Sequence, residues 1–329
     1  MELFNNILYV SEASVPQEAS LARAVSLAEN NQANLSVLDV VPTVPTGLRM
    51  LPGGRAAQQL QEAMVNDRLQ MLEALIEPYS KRLNIRLEVL VGTTFLKAIQ
   101  SVVLNEYDLL VKPAENPSYN ERLFGSDDMQ LLRNCPCPVW LMPAGEQSGY
   151  ANILAAIDLD PYMENVVNDD LNQQILALSS SLALFDLGTL HFVHAWEAPG
   201  ELTVSIWNDS SSEASTDYVE GVRLRHESAL LRFRDQLKER IGLDAYNHLA
   251  PQFHMRRGMP SQVIPEMTKK LQADLVIMGT VARTGIAGLL IGNTAESILE
   301  QVACSVLAIK PSGFVSPVKL PDSGRPLSG

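Results

Sequence analysis

The chain has 329 residues, enough for two domains of about 150 residues that each bury a core. Hydrophobic residues make up 46% and charged residues 19%, a globular composition that excludes disorder as the main state. Twenty-five Lys and Arg against 38 Asp and Glu leave a net charge of −13, which repels phosphate backbones and anionic lipid surfaces and argues against a direct nucleic-acid partner.

No apolar run reaches the roughly 18 residues of a membrane span. The N-terminal MELFNNILYV has no basic stretch ahead of an apolar one, so the expectation is a cytoplasmic chain without a membrane span. The three cysteines, Cys135, Cys137 and Cys304, are too few and too clustered for a disulfide framework and fit a reducing compartment. Cys135-Pro136-Cys137 lacks the two intervening residues of the common redox motif and has no second Cys/His pair at zinc spacing. It reads as small buried residues entering a strand.

The first predicted element is an apolar strand in ILYVSEAS (Ile7 to Ser14), ending near Glu12. Pro16 to Asn31 follows with Ala19, Ala22 and Leu27 at helical spacing, and with a proline in the first turn, where its missing N–H costs nothing. LSVLD is a second strand closing at Asp39; Asp67 to Leu83 and Phe95 to Glu106 read as helices; YDLLVKP (Tyr107 to Pro113) and CPVWLMP (Cys137 to Pro143) read as buried strands. The polar, Gly-containing stretch Gly145 to Gly149 marks a domain boundary.

Beyond it the series restarts. ILAAIDLD (Ile153 to Asp160) matches the opening strand and sets Asp158 against Glu12, an offset of 146 (158 − 12). LHFVH closes at His194 as LSVLD closes at Asp39, at 155; ADLVIMG sets Asp274 against Asp108, at 166; CSVLAIKP sets Cys304 against Cys137, at 167. Tyr218 to Ile241 and Ser261 to Leu271 supply further helices. The offset grows by about twenty residues, so the second copy carries extra chain. Part of it surrounds the first helix of that copy, and the rest follows His194, where Asn208 to Asp217 (NDSSSEASTD) has the composition of a mobile surface loop or lid, flanked by Trp196 and Trp207.

Short apolar strands alternating with stretches of helical period predict, in each copy, a parallel sheet covered by helices on both faces through right-handed crossovers. The fold class is therefore α/β: two tandem doubly wound, Rossmann-like domains at residues 1–146 and 150–311, then a loosely packed Pro-, Gly- and Ser-rich tail at 312–329.

Ligands of such sheets bind beyond the carboxyl ends of the strands. There the second copy carries GTVARTGIAGLLIGNTAE, Gly279 to Glu296. Gly279 and Gly292 allow close backbone approach, Asn293 or Thr294 is placed to cap the next helix facing any phosphate, and Glu296 to complete a capping box. Tight turns and a helix start need the same residues without a ligand, so spacing alone leaves both readings open. Arg283 either reaches a phosphate or is solvated. All five histidines (His191, His194, His226, His248 and His254) fall in the second copy. His191 and His194 have the spacing of a metal pair, but residues three apart on a strand point to opposite faces. They read as satisfied polar groups, with His194 bordering the predicted cleft. No Walker A motif, nucleophile elbow or catalytic Cys/His pair is present.

The stretch VIMGTVARTGIAGLLIGNTAESILEQVACSVLAIKP (Val276 to Pro311), with the strand ending at Asp158, resembles the universal stress protein family in its tandem, two-copy form. The likeness runs over nearly the whole chain and implies adenine nucleotide alpha hydrolase-like domains related by a pseudo-two-fold axis. In the ATP-binding branch the loop reads Gly, two residues, Gly, nine residues, Gly, then Ser or Thr. The second copy matches at Gly279 and Gly292 and departs at Ala282 and Asn293, with the spacing intact. The resemblance assigns Gly279, Thr280, Ala282, Arg283, Gly292, Asn293 and Thr294 to a nucleotide site and places Asp158 beside the adenosine. A methyl at Ala282 weakens a backbone–phosphate contact, while Asn293 keeps a donor.

The first copy departs further. Pro113, without an N–H, stands where Gly279 does, Asn116 stands where Ala282 does, only Gly125-Ser126 survives, and Glu115 and Glu121 add negative charge. Its expected role is structural, pairing with the second copy, and Glu12 is expected to be a solvated strand-end acid. The resemblance thus implies a cytoplasmic stress-response protein, more plausibly a binder than an enzyme. Its second domain would take ATP or another adenine nucleotide, with Mg or Mn, and it would act through protein partners as an intrachain pseudo-dimer that is also able to form a homodimer. Two alternatives stay open: a slow ATPase or hydrolase of adenylylated compounds, in which Asp158 holds a metal or water, and a binder of an apolar or lipid-like ligand beside Leu289, Leu290 and Ile291.

Overall fold

The Val-, Ile- and Leu-rich runs fold as strands, and the amphipathic stretches between them fold as helices. These elements are seen in a computed structural model that describes residues 3–45, 55–115, 124–145, 149–162, 170–207, 212–281 and 291–320. The chain forms two compact units. The first takes in the chain to Gly149 and the segment from Ser305 onward; the second takes in the chain from Tyr150 through the strand at 275–279, together with Gly292–Cys304.

In the first unit the order is β1 (Asn6–Val10), α1 (Glu18–Asn31), β2 (Asn34–Val41), α2 (Arg55–Ile76), a 3-10 turn (Glu77–Tyr79), β3 (Ile85–Val91), α3 (Thr94–Asn105), β4 (Leu109–Pro113), α4 (Ser126–Asn134) and β5 (Val139–Met142). These strands lie parallel in the order β3-β2-β1-β4-β5. Every residue of β4 and β5 is buried, as strands covered on both faces require.

The final strand of the chain, Ser305–Ile309, also belongs to this unit and runs antiparallel to β5, pairing Val306 with Leu141, Leu307 with Trp140 and Ala308 with Val139. Leu307 is the repeat equivalent of Trp140 (307 − 140 = 167), so the two strands meet about a local two-fold centred on that pair. The sequence repeat and the compact unit therefore differ by one strand. The three cysteines are buried and form no disulfide, with the Cys135 and Cys137 sulfurs 3.5 Å apart.

The second unit runs β6 (Asn152–Ile157), α5 (Asp170–Asp186), β7 (Thr189–Trp196), α6 (Glu201–Trp207), α7 (Ser212–Ile241), α8 (Leu243–Leu249), β8 (Gln252–Arg257), α9 (Pro260–Lys270), β9 (Leu275–Gly279) and α10 (Asn293–Leu299). Its sheet is parallel in the order β9-β6-β7-β8. One expectation is corrected here. The Ser-rich stretch is not a loop as far as Asp217, because Ser212–Asp217 forms the opening turns of the 30-residue helix α7. Glu213 and Ala214 favour a helix, and Tyr218 in the next turn anchors it, its Oη accepting the Gly200 N–H at 3.2 Å. Residues 208–211 lie outside the described set.

Equivalent acids register the two sheets. Asp108, just before β4, accepts the amides of Asn5 and Asn6 at 2.6 and 3.0 Å; Asp274, just before β9, accepts those of Ala151 and Asn152, both at 2.8 Å. Each carboxylate thus ties the start of its strand to the neighbouring first strand. In both units the strands proceed outward from the first strand to the third and then return to its other side. The order therefore reverses between β1 and β4, and again between β6 and β9, the positions where open sheets bind ligands. Residues 312–320 have no regular structure, and Gln100 Nε2 donates to Lys319 O at 3.0 Å. Among the described residues no helix is long and apolar enough to cross a membrane.

Candidate functional site

In the second unit β6 and β9 are neighbours, with Ile153 opposite Leu275 and Ala156 opposite Met278. Their carboxyl ends deliver Asp158 on one side of the reversal point and Gly279-Thr280 on the other. Asp158 is exposed, and its backbone is fixed by Asn172 of α5. Asn172 Nδ2 donates to Asp158 O at 2.6 Å, and Asp158 N–H donates to Asn172 Oδ1 at 3.3 Å. The amide is buried, so it serves the strand end in both directions while leaving the carboxylate facing solvent.

Gly279 is closely packed: a Cβ there would stand 2.5 Å from Leu171 Cδ2, because the first turn of α5 covers this end of β9, so any larger residue needs the Leu171 side chain to move. Thr280 is buried, and its carbonyl accepts the Gly292 N–H at 2.9 Å. That bond holds the start of α10 against the end of β9. It also corrects the expected cap. Gly292, at φ −76 and ψ 143, is the cap residue, while Asn293 and Thr294 are the first two helical residues, both exposed. Ala295 then takes the third position, so Glu296 falls one place late for a capping box. Of the other expected site residues, Ala282 and Arg283 lie outside the described residues, as do Leu289 and Leu290; Ile291 is buried.

Next to β6, His194 of β7 is 1% exposed. Its Nδ1 lies 3.4 Å from the Ile157 carbonyl and its Nε2 2.8 Å from His226 Nδ1 on α7. A carbonyl only accepts, which assigns the proton to His194 Nδ1, makes Nε2 the acceptor for His226 Nδ1–H, and leaves His226 Nε2 with its lone pair. Burial lowers the His226 pKa, opposed by the fields of Asp158 and Asp160. His191 faces the other way, with Nδ1 3.1 Å from His254 Nε2 on β8; burial lowers both of these pKa values. The two strand histidines thus take separate partners, and among the described residues no group of three or more His, Cys, Asp or Glu could hold a metal. Trp196 packs with Ala198 and Val222 as core.

The equivalent place in the first unit is filled. Lys112, on β4, has a fully buried ammonium 2.9 Å from Asp128 Oδ1, 3.3 Å from Glu12 Oε2 and 3.8 Å from Glu115 Oε1. It also donates to Pro113 O at 3.2 Å. Asp128 Oδ2 accepts the amides of Glu115 and Gly125 at 2.7 and 3.2 Å. Glu12 Oε1 accepts Ser14 Oγ–H at 2.6 Å and Ser14 N–H at 3.3 Å. The expectation of a solvated Glu12 is therefore corrected, because the adjacent strand buries a cation that draws it in. Burial pulls the Lys112 pKa down, but Asp128 and Glu12 more than offset it and the net shift is upward. In the second repeat Lys112 becomes Met278 (offset 166) and Asp128 becomes Ala295 (offset 167). The available signal was a lysine inside the apolar run LLVKP.

The family model described as "Universal stress protein family" matches residues 3–143 and 149–310. Universal stress protein E homolog of Haemophilus influenzae is 30% identical over 318 residues, covering 94% of this chain and 98% of that protein. Universal stress protein E of Escherichia coli K12 is 28% identical over 342 residues, covering 98% and 99%. Among solved structures, a functionally unknown protein from Pseudomonas aeruginosa PAO1 superposes with a TM-score of 0.68 at 24% identity over 94% of each chain. A universal stress protein from Archaeoglobus fulgidus DSM 4304 gives 0.58 at 15% identity, over 92% of this chain and 98% of that one. At these identities the structures show the fold.

Proposed function

The chain belongs to the universal stress protein family, with two family domains in tandem, and from that premise we propose that its second repeat binds an adenine nucleotide at the carboxyl ends of β6 and β9. The observation that carries this reading is the flanking of the strand-order reversal by an exposed carboxylate, Asp158, and the Gly279-Thr280 corner bonded to Gly292. Asp158 accepts hydrogen bonds from the adenosine part. Asn293 and Thr294 donate to phosphate oxygens; Ala282 and Arg283, which the family resemblance also assigns to the site, lie outside the described residues. Mg²⁺ or Mn²⁺ enters this reading only as a companion of the phosphates.

The protein is on this reading a non-catalytic cytoplasmic stress-response component. Occupancy biases the conformations of the residues around the site, and protein partners read the bias. The test is mass spectrometry of small molecules released by denaturing the purified chain, beside Gly292→Val, which the extended backbone at that position accommodates. An adenine nucleotide present in the wild type and absent from the variant supports the reading. An acyl or other apolar compound in its place overturns it, and phosphate release above background from ATP would move the function to hydrolysis.

A further inference from the structure

The first repeat reverses its strand order between β1 and β4, yet the residues gathered there are charged, with Lys112 and Asp128 buried and Glu12 and Glu115 partly exposed around them. Lys112 comes from β4, Glu12 from the end of β1, Glu115 from just past β4, and Asp127 and Asp128 from the first turn of α4. Glu115 lies directly against Gly125, the residue before α4. A Cβ on that glycine would stand 2.7 Å from Glu115 Cβ and 2.8 Å from its carboxyl carbon. Glycine is therefore kept at this position by the Glu115 side chain lying over it.

The cluster holds one ammonium and three carboxyl groups in contact with it. This partly buried group has an excess of acid, and in a medium less polar than water the least well partnered acid takes up a proton first. Glu12 has the Ser14 hydroxyl and amide besides the ammonium, and Asp128 has two backbone amides besides a 2.9 Å ammonium contact. Among the described residues Glu115 has the 3.8 Å ammonium contact as its carboxyl group's ion pair. Burial, then repulsion by Asp128, with further repulsion from Asp127 and Glu12, raises its pKa to about 7, against the pull of Lys112.

We propose that Glu115 is a proton-binding site: the first repeat fills its strand-reversal point with its own ammonium and carboxylates, and the species it exchanges with solvent is H⁺. The cluster then changes charge by one near neutral pH, which gives this repeat a response to acidification. The proposal concerns the first repeat and stands whether or not the second binds a nucleotide.

The experiment is carbon-detected NMR of the full, ¹³C-labelled chain, following the Glu115 carboxyl resonance from pH 5 to 9. The expected midpoint is about 7, moving lower in Asp127→Asn, which removes a repelling neighbour. The midpoint is read in the unaltered chain, so no variant has to fold for the outcome to count. A midpoint near the ordinary glutamate value of about 4.5 in the unaltered chain overturns the proposal.

Discussion

Replacing Lys112 by methionine, the residue at the equivalent place in the second repeat, would leave Asp128 buried without its cation. Lys112 and Asp128 side chains are both 0% exposed and 2.9 Å apart. Breaking such a pair from one side costs about 3–5 kcal/mol, whereas replacing both partners by packed apolar groups is often neutral. The second repeat supplies that apolar version as Met278 and Ala295. In Lys112→Met/Asp128→Ala the lost Gly125 and Glu115 amide bonds still cost about 1–2 kcal/mol. The double variant is therefore expected to recover about 2–3 kcal/mol over the single one. Urea unfolding of the full chain, followed by circular dichroism for wild type, both singles and the double, closes the cycle. Additive losses, or a Lys112→Met cost below about 1 kcal/mol, would refute the paired geometry.

Three further outcomes follow from the contacts described. Glu115, with a pKa of about 7 in the folded chain against 4.5 as reference, adds stability that is complete below the reference value and lost as pH rises through about 7. The full shift corresponds to about 3.4 kcal/mol and, after discounting for the solvent-facing half of the group, to about 1–2 kcal/mol. Urea unfolding at pH 8 should therefore show Glu115→Gln more stable than wild type by that amount, and the gap should shrink at pH 5. Asn172→Leu removes both bonds to the Asp158 backbone, with an expected loss of about 1–3 kcal/mol and a weakened nucleotide affinity readable by calorimetry. Gly279→Ala meets Leu171 and should destabilise the second unit, and adding Leu171→Ala should recover part of the loss; no recovery would count against steric contact as the reason for glycine.

The parts of the fold that were legible in the sequence are those set by local pattern. Apolar runs gave strands, and the repeated acids Asp108 and Asp274 marked strand starts because a carboxylate there has two amides to accept. Asp158 was legible as a strand-end acid for the same reason of local context. The contacts that escaped are non-local. Lys112 meets Glu12 from a neighbouring strand, and neither residue advertises the other. Asn172 and Leu171 act on the ends of β6 and β9 from a helix whose sequence carries no motif. The histidine pairs depend on which helix and strand pack beside β7. The pairing of Ser305–Ile309 with β5 was equally hidden, since a buried strand has the same pattern whichever sheet it joins. The helix start at Gly292 was displaced by one residue because a backbone bond to Thr280, rather than a polar side chain, fixes it.

The first repeat closes its strand-reversal point with its own ions, and the second is the one proposed to take a ligand there. Calorimetric titration of the full chain with ATP and Mg²⁺, for wild type and Asp158→Ala, tests that contrast most directly. The account predicts one site per chain, lost in Asp158→Ala. Two sites per chain, or binding that survives the loss of Asp158 unchanged, would contradict it.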